Sequence, residues 1–331
     1  MDIDFVLTWV DGSDPVWREE KRKYHPDASC DDGEERYRDW DMLQFWFRGV
    51  ETFAPWVRKV HLITYGHLPK WLDTNHPKLH IVRHEDFLPK ELLPVFNSTV
   101  LEEYLHRIEG LAEHFVYFND DMFLLRPIKE EVFFQRGLPC DMMAFQPVVA
   151  NPRSIVTSYL YLNNAAVLAR NFDKRECVRR HPGHFYHPGY PLLYLLYNVM
   201  ELTFPLFTGF YTVHGPSPFL KQTFLDVWKC EGRELETAAH SRFRSKNDVS
   251  QYLFREWQKL SGNFVPKNVH RKLGYFELDM QNKRLLATIV GQKKTWICIN
   301  DTGKVTDIEP VKEQLRSAFL RILPNRSSFE K

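Results

Sequence analysis

Short apolar runs that stop abruptly at aspartate, asparagine or glycine limit the folds open to this chain more than any other feature. Residues 4–10 read Asp-Phe-Val-Leu-Thr-Trp-Val and run into Asp11-Gly12-Ser13-Asp14-Pro15. Residues 57–65 are stopped by Gly66, and residues 115–118 run straight into Asn119-Asp120-Asp121. Runs of this length bounded by turn residues read as buried strands, and a further one is expected at 79–84. Between them, Leu43, Phe47 and Val50 recur at helical spacing within 40–53, with Trp46 beside them. Residues 98–112 read as a second helix, with Ser98 as N-cap and Glu102 at or just past the first turn. Strands alternating with helices predict a mostly parallel, doubly wound α/β sheet. Such sheets gather ligands at the carboxyl ends of their strands, where the acidic turns at 11–14 and 119–121 fall.

The second half is less regular. A helix is expected near 248–260 and a strand at 295–299, followed by a basic tail. Residues 18–38 are highly charged and read as a surface excursion. No repeat or low-complexity linker interrupts the chain, so the expectation is one unit with an inserted or appended helical part and a soft boundary near residue 150. Its 331 residues, 44% of them hydrophobic, suffice for one large core. The formal net charge of +1 gives no global field for nucleic acid or an anionic membrane. Cys30, Cys140, Cys177, Cys230 and Cys298 are odd in number, widely spaced and without a C-x-x-C pair, which argues against a disulfide framework or zinc knuckle and for reduced thiols. No signal peptide opens the chain, and no segment has the length of a membrane span. The apolar stretch 190–211 is broken by Asn198, Glu201 and two prolines. It reads as core helix and loop, with contact to a membrane surface as the alternative.

Five places carry residues suited to chemistry. Adjacent carboxylates at a strand end, as at Asn119-Asp120-Asp121, can hold a hard divalent cation and bridge it to phosphate oxygens; the alternative is a capping turn. The turn at 11–15 offers glycine and backbone N–H groups to a ligand, or is an ordinary β-turn. His214, before Gly215-Pro216, is a base candidate among 14 histidines. Arg242 and Arg244 could clamp phosphate oxygens, or lie on a solvated helix start capped by Asn247 or Asp248. Asp301 follows an apolar strand, or sits in a hairpin turn into Gly303. G-x-S-x-G, P-loop, G-x-G-x-x-G and H-E-x-x-H motifs are all missing, which argues against the common hydrolase, NTPase, dinucleotide and zinc-protease classes.

Taken in order, these pieces resemble the Stealth family, which includes bacterial capsular and exopolysaccharide phosphotransferases and the animal N-acetylglucosamine-1-phosphotransferase. The first family region resembles residues 3–14. The second resembles residues 36–127, with Arg36, Asp39, Arg48, Ala54-Pro55-Trp56-Val57-Arg58, Pro69-Lys70-Trp71-Leu72, Phe96-Asn97-Ser98, Glu102, residues 105–111 and Asn119-Asp120-Asp121. The third resembles His214-Gly215-Pro216 with Phe243-Arg244-Ser245 and Asp248, and the fourth resembles residues 297–301. Residues 141–211 match no motif.

The resemblance implies a Rossmann-like sheet of the nucleotide-sugar transferase (GT-A-like) type. It divides the chain into a nucleotide-sugar part at 1–150, a mainly helical acceptor part at 151–260, and a strand and tail at 261–331 that complete the site. It implies His214, Arg244 and Asp121 as catalytic residues. Thr8, Trp9, Val10, Asp11, Gly12, Asp14, Arg48, Asn97, Ser98 and Asn119 become donor contacts, and Asp120, Asp121 and Asp301 hold Mg²⁺ or Mn²⁺. The implied reaction transfers a sugar-1-phosphate, with N-acetylglucosamine-1-phosphate as the expected group, from a UDP-sugar to a glycan hydroxyl and releases UMP. The expected setting is the bacterial cytoplasm, with peripheral association at the inner membrane face as an extension. A metal-dependent glycosyltransferase releasing UDP and a non-catalytic sugar-binding protein are the alternatives.

Overall fold

β1 (Ile3–Thr8) buries every side chain except that of Thr8, which is partly exposed. That is the pattern of a strand covered on both faces. In the computed structural model, which describes residues 1–24, 32–152 and 154–331, β1 is the middle strand of a five-stranded sheet. The order is β3 (Leu79–Arg83), β2 (Lys59–Thr64), β1, β4 (His114–Asn119) and β8 (Ser217–Leu220). The first four run parallel and β8 is antiparallel to β4. The mostly parallel α/β sheet expected from the sequence is therefore present.

Alternation along the strands decides what packs where. Phe5, Leu7, Val116 and Phe118 join Trp46, Phe47 and Val50 of the helix Leu43–Phe53 in one core. Val6, Phe115 and Tyr117 fall in a second core, with Phe224 of the helix Lys221–Ala239 and Leu253 and Phe254 of the helix Gln251–Leu260. Phe5 and Phe118 lie 4.7 Å apart between ring centroids in the first layer, and Phe224 stacks on Phe254 at 4.1 Å in the second.

Two small sheets join distant stretches of chain. In one, β11 (Trp296–Asn300) pairs in parallel with β10 (Leu273–Glu277) and antiparallel with β5 (Met122–Leu124). In the other, β7 (Leu138–Asp141) lies between β6 (Phe134–Gln135) and β9 (Val265–Pro266). β7 ends in the fully buried Asp141, whose carboxylate takes two hydrogen bonds from Arg255, at 2.6 and 2.9 Å. Burial pulls the Asp141 carboxyl upward, but the charges of Arg255 and Lys259 outweigh it and hold the group below its ordinary value. Arg255 also donates to the Val213 carbonyl at 2.8 Å, one residue before His214.

Several local expectations are corrected. The helix expected at 98–112 is Ser98–Glu103, capped by Asn97 rather than Ser98. It gives way to a single 3₁₀ turn and to Gly110 at φ 71°. The Ala112 N–H donates to Asp4 Oδ2 at 2.8 Å, which ties this segment to the start of β1 instead of letting a helix continue. The turn at 11–15 starts a helix, Pro15–Lys23: Asp14 Oδ1 caps the Trp17 amide at 2.8 Å, and Pro15 occupies the first turn, where its missing N–H costs nothing. The later helix starts at Gln251 with Ser250 as its cap, not Asn247 or Asp248. Cys140, Cys177, Cys230 and Cys298 are free thiols, and Cys30 lies outside the described residues. The stretch 190–211 does contain a helix, Leu192–Glu201, but its Leu192, Leu193, Leu196, Val199 and Met200 face solvent instead of the core. Tyr194 is buried together with the polar Asn198 and Glu201, which are held by hydrogen bonds to the backbone around them.

Removing the Arg255 guanidinium strands a fully buried Asp141 carboxylate. Arg255→Ala should therefore lose about 3–5 kcal/mol of stability, read as a lowered urea midpoint in equilibrium unfolding; an unchanged midpoint would show the pair to be dispensable.

Candidate active site

Thr8 at the end of β1 lies opposite Asn119 at the end of β4. The residues that follow each strand therefore leave the sheet side by side at its carboxyl edge. One carries Trp9 and Val10, the other Asp120 and Asp121. The β5–β11 pairing sets Met122 opposite Cys298, and the Ile299 amide donates to the Asp121 carbonyl at 2.8 Å. That register brings the Cys298 thiol to Asp121, where Sγ donates to Oδ2 at 3.0 Å.

His214 arrives on the segment leading into β8. Its Nε2 is 3.6 Å from the same Asp121 oxygen, and its Nδ1 is hydrogen-bonded to the Tyr252 hydroxyl at 2.5 Å. Arg244 comes from the loop before the helix Gln251–Leu260 and donates to Ser98 Oγ at 2.8 Å. Asp121, His214 and Arg244 line one cleft with a volume of about 240 Å³, whose wall also includes Thr8, Trp9 and Asp120. The three residues expected to be catalytic thus share one cavity.

A buried polar chain runs beneath it. Thr8 Oγ1 and the Tyr117 hydroxyl are 2.9 Å apart, and that hydroxyl donates to Glu102 Oε1 at 3.3 Å. The Gln251 amide donates to Glu102 Oε2 at 2.9 Å. Loss of water raises the Glu102 carboxyl; the Gln251 amide, Arg244, Tyr117 and His214 oppose that rise without cancelling it. Glu102 therefore stands under Arg244 and His214 as a carboxyl sensitive to their charge.

The acidic groups at the mouth repel one another. Asp120 keeps exposed surface toward the cleft, yet protein crowds it. This loss of bulk water, followed by the charges of Asp121 and Asp39, pushes its carboxyl up to about 8. Asp39 is pushed up to about 6, first by desolvation and then by Asp41 and Asp11, against the pull of an Asp41 amide bond. Burial, then the adjacent Asp121, drive the Cys298 thiol well above its usual range, so it stays protonated and acts as a donor.

A divalent cation fits this chemistry. Asp121, His214 and Cys298 place ligand atoms within 4.8 Å of one another. Asp121 Oδ1 and Asn119 Oδ1 are buried without a protein partner, so two hard oxygens at the strand end lack a counterpart. Oxygens suit Mg²⁺ or Mn²⁺, whereas the protonated Cys298 is an orienting donor to Asp121 and a poor ligand for either.

Of the other expected site residues, Val10, Asn97, Ser98 and Asp301 also line the cleft, whereas Arg48, Asp11, Gly12 and Asp14 are not among its lining residues. Arg48 does not reach the cleft: it is buried in a two-pronged ion pair with Glu330, both contacts 2.7 Å, and also donates to the Leu323 carbonyl. Asp301 lines the cleft, but its Oδ2 is taken by Arg38 at 2.6 Å and Trp40 Nε1 at 3.2 Å. Its carboxylate neutralises that arginine and stays out of the group around Asp121. Asn97 spends its side chain on Thr99, Ser241 and Asp248, and so fixes the loop that carries Arg244. Asp11 accepts from the amide and hydroxyl of Ser13, and Asp14 is consumed as a helix cap. Gly12 serves packing: its amide donates to the Tyr37 carbonyl at 2.9 Å, and a Cβ there would lie 2.2 Å from that oxygen. Cys298 and Tyr252 are the residues sequence reasoning missed. Neither has a local signature, because one looks like an ordinary strand residue and the other like the first turn of a helix.

Comparison with known proteins bears on this geometry. Stealth protein CR1, conserved region 1, matches residues 1–28, and Stealth protein CR2, conserved region 2, matches residues 36–140. A capsular polysaccharide phosphotransferase WcwK of Streptococcus pneumoniae is 39% identical over 331 residues, covering 99% of both chains. The chain belongs to the Stealth family. Further relatives include the receptor polysaccharide phosphotransferase WefC of Streptococcus gordonii, 39% identical over 99% of this chain and 98% of its own. The exopolysaccharide phosphotransferase cps2G of Lactiplantibacillus plantarum is 36% identical over 100% of this chain and 96% of its own. Among solved structures, apo mouse xyloside xylosyltransferase 1 aligns with 92% of this chain and 99% of its own, at TM-score 0.35 and 10% identity. The two matched Stealth regions supply β1 and Asn119-Asp120-Asp121, while His214, Arg244 and Cys298 lie beyond them.

Because Asp120 is pushed up to about 8 and Asp39 to about 6, a cation entering here must displace protons below those values. Apparent Mg²⁺ or Mn²⁺ affinity should rise between pH 6 and 8, by up to about tenfold per unit for one displaced proton. Metal-dependent shifts in melting temperature across that range check this; pH-independent affinity would mean that neither group faces the cation.

Proposed function

We propose that this protein is a sugar-1-phosphate transferase that moves hexose-1-phosphate from a UDP-sugar to a glycan hydroxyl, releases UMP, and acts in capsular or exopolysaccharide synthesis. The observation that carries the reading is the convergence of His214, Asp121 and Arg244 on one cleft at the carboxyl ends of β1 and β4. The phosphotransferase assignment draws on whole-length similarity to capsular and exopolysaccharide phosphotransferases.

Asp121, through its unpartnered Oδ1, with Asp120 and Asn119 beside it, would hold the divalent cation. When bound, the cation supplies positive charge to pyrophosphate and leaving-group oxygens. Thr8, Trp9 and Val10 at the end of β1 form the wall for the nucleotide end of the donor. Arg244, with one nitrogen held by Ser98, offers its remaining N–H groups to the transferring phosphoryl group. His214 takes the acceptor proton at Nε2 as the acceptor oxygen bonds to the β-phosphorus and the bond to the UMP oxygen breaks. In that role Nδ1–H donates to the Tyr252 hydroxyl, which fixes the ring. The protonated imidazole then faces Asp121, whose charge favours it.

The decisive measurement is the nucleotide released from UDP-N-acetylglucosamine and Mg²⁺ in the presence of glycan acceptors. UMP is expected. UDP would place the chemistry at the anomeric carbon and overturn the proposal. In the same assay His214→Ala should lower turnover by about 10²–10⁴-fold, and near-normal turnover across pH would remove His214 as the base. Asp121→Asn should abolish metal-stimulated turnover with the melting temperature retained.

A further inference from the structure

The helix Leu192–Glu201 packs inward through Tyr194, Asn198 and Glu201 and turns an aliphatic stripe outward. Asn198 is fully buried: its Oδ1 accepts from the Phe145 amide at 2.8 Å, and its Nδ2 donates to the carbonyls of Met143 and Phe185. Glu201 is buried too, taking the Thr208 amide at 2.8 Å and hydroxyl at 2.6 Å and the Lys174 ammonium at 3.2 Å. Every exposed side chain of the helix is apolar: Leu192, Leu193, Leu196, Val199 and Met200 are each 52–71% exposed. Phe204 and Leu206 on the following loop extend the surface. Spacing of i, i+1, i+4, i+7 and i+8 marks the stripe that a helix of a soluble domain turns to its core. Here it faces solvent, and such patches mark contact surfaces.

We propose that this face docks the protein on an anionic lipid surface, with the helix lying in the plane where headgroups meet acyl chains. Charge around the patch matches that partner. Of the described cations in residues 151–211, Lys174 is buried against Glu201 and Arg170 pairs with Glu231 and Glu234, which leaves the exposed arginines of one adjoining helix to supply the charge. The adjoining helix Lys174–Arg180 exposes Arg175, Arg179 and Arg180, and Glu176 alone pairs with the last two. The Lys174 ammonium donates to the carbonyls of Glu201 and Leu206, both at 2.7 Å, which ties the start of this helix to the segment that carries the apolar surface. Exposed arginines on a helix tied to an apolar face suit interfacial binding to anionic lipid. A second copy of the chain fits less well. Seven exposed apolar residues would make only part of the roughly 20–30 residues per side of a stable protein interface. Among the described residues no helix is long and apolar enough to cross a membrane, so attachment through this ten-residue helix is at the surface.

The test is flotation of the full chain with vesicles of phosphatidylcholine alone or mixed in equal parts with phosphatidylglycerol. The wild type should float with the mixed vesicles and less with the neutral ones. Leu193→Glu/Leu196→Glu should cut the bound fraction by about tenfold or more and, because these side chains touch solvent, leave the melting temperature unchanged or raised. Leu192→Gln/Met200→Gln, a milder pair, should reduce flotation in the same direction. Arg175→Glu should weaken binding to the anionic vesicles only. Failure of the wild type to float, or undiminished flotation of both double variants, would overturn the proposal. So would a wild-type dimer in sedimentation that Leu193→Glu/Leu196→Glu converts to monomer, since a second copy would then cover the face.

Discussion

The antiparallel pairing of β5 with β11 is the contact on which the site depends. It joins residues on either side of a gap of more than 170 positions and sets Met122 opposite Cys298. A strand register slipped by one residue would turn Cys298 away from Asp121 and leave the carboxylate without its thiol donor. The same strand continues the core formed by Phe123, Trp296 and Ile297, so the placement of Asp121 is enforced by packing. A second anchor works from the opposite side: the Arg255–Asp141 pair holds the Val213 carbonyl and delivers His214 to the same cleft.

Charge is unevenly distributed around that cleft. Carboxyls of Asp39, Asp120 and Asp121 line it, and that of Asp120 is pushed up far enough to hold a proton near neutrality. Such crowding is costly by itself and would be relieved by a divalent cation. The arginines are held differently: Arg38 is neutralised by Asp301, whereas Arg244 is tethered by the neutral Ser98.

The surface is uneven as well. The sheet's faces are covered by helices that hide their apolar stripes, as Leu43–Phe53 and Gln251–Leu260 do. Leu192–Glu201 turns an aliphatic stripe outward, anchored inside by Tyr194 and by Asn198 and Glu201, which find hydrogen-bonding partners there. Burying polar groups that are satisfied carries little penalty, so the helix can spend its apolar side on an outside surface.

The strands and their acidic ends were legible from residue order, because an apolar run stopped by Asn119-Asp120-Asp121 has few other ways to satisfy its backbone and bury its side chains. The parallel α/β sheet and the grouping of Asp121 with His214 and Arg244 followed the sequence reading. What failed did so for identifiable reasons. Arg48 lies away from the cleft, matched by Glu330 distant in sequence, while Asp301 does line the cleft and is matched there by Arg38. Asn97 and Asp14 are caps. Tyr252 and Cys298 gave no signal, since their roles come from what stands across from them. The direction of the helix at 192–201 was also undecided by its composition. Local pattern fixes which segments become strands and helices because backbone hydrogen bonding and side-chain periodicity are local. Tertiary structure alone decides which side chains meet, since ion pairs and strand registers form between segments that the chain brings together only on folding.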